Sequence, residues 1–179
     1  MLLKRFVSFL ILIFLGLTVF FAIKGVNRVI YPKKYQNFAE SVGEKYGVDP
    51  LFIYSIIKVE SGFKKDAVSS KGAVGLMQIT PSTAEYIAFS KGVKTYDLFN
   101  VETNIDFGVF YLKYLIDRFE VLETAIVSYN AGETRVSAWL KDSALSLDGK
   151  RLNYVPYKES REYLEKVLKA YDKYKKLYG

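Results

Sequence analysis

A mainly α-helical domain behind one membrane-length apolar helix is the fold this sequence predicts, on three observations. An uncharged run of 18 residues, Phe6 to Ile23, lies near the N-terminus. Downstream, helix start and stop signals recur at short intervals. Stretches alternating with a period of two, the mark of half-buried strands, are few.

The apolar run has only Ser8 and Thr18 as polar interruptions, with Lys4 and Arg5 before it and Lys24 and Arg28 after it. At ~1.5 Å per helical residue it spans roughly 27 Å, close to the ~30 Å of a bilayer core. Its exit, FFAIKGV, lacks the small-x-small pattern of a cleavage site, and no cysteine is present for lipid attachment. The expectation is an uncleaved anchor over residues 1–30 and a separate domain over 31–179, rather than a removable signal. Basic residues flank both sides, so a positive-inside count does not by itself place the domain outside the membrane. The orientation has to come from the chemistry of the domain.

Each helix has its own punctuation. Gln36 to Tyr46 reads as a helix stopped by Gly47. Asp49 is a good N-cap and Pro50 suits the first helical position, opening an apolar helix that runs to Glu60 with Gly62 as its stop. Residues 63–76, rich in Lys, Ser and Gly, read as an irregular loop, and a small hairpin in one of the loops is the most strand expected. Thr80-Pro81 opens a helix to about Phe89. Asn104 to Phe119 has apolar residues at helical spacing, Leu122 to Asn130 is closed by Gly132, and Glu133 to Leu140 is one more helix. Residues 142–157 form a loop, and Lys158 to Tyr178 a final amphipathic helix.

The totals exclude several chemistries. The 179 residues contain no cysteine and no histidine. That removes Ser-His-Asp and Cys-His nucleophiles and most zinc sites, so no metal or other cofactor is expected. The net charge of +7 looks like a nucleic-acid signal, but residues 1–36 hold six of the 26 basic residues and no acid. The remaining 20 basic residues face 19 acidic ones, so the domain lacks the basic stripe of a nucleic-acid binder.

Glu60 is the candidate acid, with a surface carboxylate at a frayed helix end as the alternative on this segment alone. A general acid needs a carboxyl of raised pKa. An apolar helix behind Glu60 and a helix C-terminus at it both disfavour the anion. Asp66, the nearest acid downstream, reads as a solvated loop charge, so no paired carboxylate is evident.

Four segments, Glu60-Ser61-Gly62, Gly75-Leu76-Met77-Gln78, Ser128-Tyr129-Asn130-Ala131-Gly132 and Glu159-Ser160-x-x-Tyr163, occur in an order and spacing that resemble the lysozyme-like domain of soluble lytic transglycosylases, the SLT domain. The resemblance covers roughly residues 36–179. Ser128 departs from it, since the family more often has alanine there. It implies a lysozyme-like helical fold acting on peptidoglycan glycan strands outside the cytoplasmic membrane, with Glu60 as single acid and base. The C6 hydroxyl of N-acetylmuramic acid attacks its own C1, leaving a 1,6-anhydro end. It also implies substrate roles. Ser61 binds an acetamide or peptide stem, or is only a helix-end hydroxyl. Gly75 and Gly72 let the loop backbone approach a ligand. Met77 and Gln78 line the cleft, unless Met77 is a core methionine, and Asn130, beside Tyr129, binds an N-acetyl group or serves only the helix stop at Gly132. Tyr163 faces Glu60 and helps keep the acid neutral. Three other readings compete: a goose-type lysozyme hydrolase, a non-catalytic wall-binding module, and a membrane-tethered helical adaptor.

Overall fold

The computed structural model describes residues 2–179, and among these the regular elements are eight helices with no extended strand. Helix α1 is Leu2–Ile30, and its C-terminal end meets the domain at Lys58 and Tyr178. Its stretch Arg5–Ile30 has mean hydropathy 2.8 and none of its apolar window is buried, so by length and composition it is able to cross a membrane. The flanking Lys4 and Lys24 have side chains outside the described residues, as does Ser8 within the run.

The domain helices follow their sequence signals closely. Helix α2 is Gln36–Tyr46, ended by Gly47 in the left-handed region. Helix α3 is Pro50–Glu60, opened by the Asp49 side chain accepting from the Leu51 N–H. Helix α4 is Pro81–Lys91, two residues longer than predicted, because Gly92 at φ +66° is the stop. Helix α5 is Val101–Phe119 and starts three residues earlier than predicted. Asn100, not Asn104, is its cap, accepting from the Thr103 N–H at 3.0 Å. Helices α6, Leu122–Ala131, and α7, Glu133–Trp139, follow, and α8 is Lys158–Tyr178 as predicted. The small hairpin expected in one of the loops is reduced to isolated antiparallel bridges in the 61–80 loop, Val68 with Val74 and Val74 with Ile79.

Helix α3 is the spine of the core. Phe52 through Ile57 are all buried, on every side of the helix. At ~1.5–3 kcal/mol for each large apolar side chain removed from water, this one helix supplies a large share of the stabilisation. It is covered by α8, whose Tyr163, Val167, Ala170 and Tyr174 form one buried face at helical spacing. Two pairings set the helices antiparallel: the Tyr171 hydroxyl donates to Asp49 at the start of α3, and Tyr163 reaches Glu60 at its end. The chain leaving α1 is tied to the same pair. The Lys58 Nζ donates to the Ile30 carbonyl at 2.7 Å, the Tyr178 hydroxyl to Tyr31 at 2.8 Å and the Tyr174 hydroxyl to Pro32 at 3.0 Å.

Candidate active site

Glu60 is the last residue of α3. The Asp49 cap and Pro50 fix where the helix starts, and packing against α8 fixes its direction, so the carboxylate is carried on a rigid rod. It stands on the wall of a cleft of about 230 Å³, shared with Gln78, Thr80, Tyr129, Asn130 and Glu159. Burial pushes the Glu60 carboxyl up to about 7, and the hydrogen bond from Tyr163 pulls the other way without cancelling it. The acid is therefore part protonated near neutral pH. A larger hollow of about 500 Å³ lies beside Arg118 and Leu140, and none of the sequence-predicted site residues lines it.

Tyr163 donates its hydroxyl to Glu60 Oε1 at 2.6 Å. The position matches the sequence expectation, but the effect corrects it. An O–H donor stabilises the carboxylate, so Tyr163 favours the anion and apolar burial alone keeps the acid neutral. Burial and the nearby Glu60 hold the Tyr163 hydroxyl itself well above its ordinary pKa, so it remains a donor throughout the working range.

Asn130 and Tyr129 come from the end of α6. Ser160, buried at the start of α8, donates to Asn130 Oδ1 at 2.8 Å. With the amide oxygen occupied, the amide N–H₂ is left to donate to a ligand carbonyl. The Tyr129 ring edges the cleft, while its hydroxyl donates to the Met77 carbonyl at 2.9 Å.

The 61–80 loop behaves differently, and for three residues the structural alternative holds over the ligand role. Met77 does not line the cleft. It is fully buried against Gly108 of α5, where an added Cβ would stand only 2.6 Å from the Met77 Cβ. Gly75 makes room for protein rather than ligand. At φ +80° a Cβ there would strike the Asn104 amide and come within 2.7 Å of the Leu98 carbonyl. Ser61 ties the helix end to the loop, its hydroxyl placed 2.8 Å from the Leu76 carbonyl and accepting from the Phe63 N–H. It has no lone donor left for a substrate. Gln78 does reach the cleft, at φ +50°, and its amide N–H₂ donates to Gly75 at 2.9 Å and Ala67 at 3.2 Å.

Two residues escaped the sequence reading. Asn104, 1% exposed, organises the loop: its Oδ1 accepts from the Met77 N–H at 2.8 Å, and its Nδ2 donates to Val74 at 3.0 Å and Leu98 at 2.8 Å. Its signal was an asparagine within an apolar helical run, which demands polar partners. Glu159 belongs to a quoted segment, yet its carboxylate went unweighed. It is the second acid on the cleft, exposed, with Lys71 at 3.6 Å across the rim. Asp66 is the solvated charge expected, paired with Lys65.

The sequence and fold have recognised relatives. A family model described as the transglycosylase SLT domain matches residues 37–151. The chain is 32% identical over 152 residues to the soluble lytic murein transglycosylase of Escherichia coli K12, covering 80% of this chain and 23% of that protein. It is 32% identical over 173 residues to the membrane-bound lytic murein transglycosylase C of Actinobacillus pleuropneumoniae, covering 79% of this chain and 46% of that one. Among solved structures it resembles the 70 kDa soluble lytic transglycosylase of Escherichia coli, with TM-score 0.75 and 27% identity over 86% of this chain and 26% of that one. It also resembles the lytic transglycosylase Slt of Pseudomonas aeruginosa, solved as an inactive glutamate-to-glutamine mutant, with TM-score 0.72 and 28% identity over 83% of this chain and 25% of that one. The chain spans less than half the length of these relatives. The fold is thus the lysozyme-like helical one, and the chain belongs to the transglycosylase SLT domain family.

Proposed function

We propose that this chain is a peptidoglycan lytic transglycosylase, held at the membrane by residues 1–30 with the domain of residues 31–179 outside the cytoplasm. The observation that carries the reading is Glu60, a carboxyl raised to about 7 on the wall of a cleft and hydrogen-bonded by Tyr163. Protonated Glu60 gives its proton to the oxygen bridging N-acetylmuramic acid C1 and N-acetylglucosamine O4, and the C1–O4 bond breaks. The muramic acid C6 hydroxyl attacks C1 while the Glu60 carboxylate takes the hydroxyl proton. A 1,6-anhydro end and a free 4-hydroxyl result, Glu60 is protonated again, and no water is consumed.

In this reading Tyr163 steadies the carboxylate between the two proton transfers, Asn130 donates to an N-acetyl carbonyl, and Tyr129 and Gln78 shape the cleft. The membrane attachment rests on the span and exposure of α1 and on the membrane-bound relative. A hydrolase remains the competing reading on one observation: Glu159 is a second carboxylate on the same cleft. Its exposure and its Lys71 partner leave it at the rim, away from the burial that tunes Glu60.

Mass spectrometry of sacculi digested by the chain separates the two. Anhydro ends support the transglycosylase. Reducing ends formed with incorporation of ¹⁸O-labelled water point to the hydrolase, and intact glycan after digestion defeats both.

A further inference from the structure

Sharing no lining residue with the catalytic cleft, a further hollow of about 330 Å³ is lined by Tyr31, Lys58, Val59, Lys166, Lys169 and Ala170. Three ammonium groups line it and no carboxylate does. Among the described residues, none of the three lysines has an ion-pair partner within 4.0 Å. Of the neighbouring acids of α8, Glu162 pairs with Lys158 and Asp172 with Lys176, while Glu165, one turn before Lys169, is exposed and makes no ion pair within 4.0 Å. Burial pulls the Lys58 ammonium below its ordinary pKa, with no acid to offset it. Clustered cations of this kind repel one another until an anion sits among them.

The place of the hollow says which anion. Its wall includes Tyr31, the first residue after α1, and Lys58 donates to the carbonyl of Ile30, where α1 ends. Tyrosine at such a position is the ordinary residue of a membrane–water boundary. Val59, Ala170 and the Tyr31 ring add apolar wall beside the ammonium groups, suited to a glycerol backbone next to a phosphate.

We propose that Lys58, Lys166 and Lys169 bind the phosphate of an anionic lipid headgroup at the membrane surface. The inference rests on the reading of α1 as an anchor. Binding there fixes the tilt of the domain, because Lys58 lies two residues before Glu60 on the same helix.

The test is amine acetylation of the full chain in nanodiscs, followed by mass spectrometry, with Lys94 as the exposed reference. Discs of phosphatidylcholine are compared with discs that also contain phosphatidylglycerol. Labelling of Lys58, Lys166 and Lys169 relative to Lys94 should slow by about fivefold with the anionic lipid, the factor expected for a basic residue at an anionic surface. In the Lys166→Gln, Lys169→Gln double variant, the protection of Lys58 should vanish. Equal labelling in both discs overturns the proposal while leaving the anchor intact. Equal protection by inorganic phosphate in neutral discs overturns the lipid as the source. A chain that fails to insert into either disc overturns the anchor, and this inference with it.

Discussion

The α3–α8 pair and the 61–80 loop both border the cleft, yet they treat their polar groups in opposite ways. On the helices, backbone hydrogen bonds are satisfied internally, so the side chains of Glu60, Tyr163 and Ser160 are available for one another and for a ligand. The loop has only a partial ladder, with backbone bonds such as Ser69 to Ala73, Gly75 to Ala67 and the Val74–Ile79 pair, and the rest is made up by side chains. Its backbone takes the Asn104 amide, the Ser61 and Tyr129 hydroxyls and the Gln78 amide as partners. A loop at a cleft is thus built largely from groups that hold the loop, and the chemistry stands on the rigid elements beside it.

Removing the acid is the largest way to test that division. Glu60→Gln should fold and lose glycan cleavage by several orders of magnitude, since an amide neither donates nor takes up the proton. Near-normal activity would sink the assignment. The same variant has a stability signature. The folded carboxyl titrates near 7 against 4.5 for the ordinary group, so the folded state binds more protons between those values and stability falls as pH rises through that window. Gln has no such loss, so above pH 7 the variant should be more stable than the parent by ~1–3 kcal/mol in urea unfolding. A variant less stable at pH 8 would mean that Glu60 is not disfavoured as an anion.

On the loop side, Asn104→Ala should destabilise the fold by ~2–4 kcal/mol, because it strands the Met77 N–H and the Val74 and Leu98 carbonyls in a buried setting. Activity should fall with loop order, leaving the pH dependence of the remaining activity unchanged. A displaced pH profile would show that the loop tunes Glu60, and the contrast between the regions would weaken.

Tyr163→Phe sharpens the comparison from the helix side. Loss of the hydroxyl removes what stabilises the carboxylate, so the Glu60 pKa should rise further. Rate should drop by about tenfold, a modest share of what acid–base catalysis contributes, while its alkaline limb moves to higher pH. A limb that moves to lower pH would reverse the role given to Tyr163.

The smallest effect is expected at Ser128, whose hydroxyl is fully buried in α6 with no hydrogen-bond partner. This is the position where the sequence departs from the family's usual alanine. Ser128→Ala should stabilise by up to about 1 kcal/mol in thermal or urea unfolding and leave activity alone. A clear destabilisation would show that the hydroxyl has a partner after all.

Local grammar carried the helices. Asp49-Pro50, Thr80-Pro81, Gly47 and Gly132 are caps and stops that act within a few residues of themselves, so they are readable before any folding is known. The catalytic candidate was readable only in part for the same reason: an apolar helix ending at Glu60 suggests burial, but the other three segments were needed to single it out from a surface carboxylate. What Ser61, Gly75 and Met77 do was decided only when the loop folded back on Ser61 and α5 closed over it. Each makes its decisive contact with residues 15 to 31 positions away, Leu76, Asn104 and Gly108. Glu60 acquired its full environment in the same way, through Tyr163, 103 residues downstream. Short-range steric and hydrogen-bond preferences are written into neighbouring residues. Which polar groups face the cleft and which face each other depends on helix packing, and packing brings together residues that the chain keeps far apart.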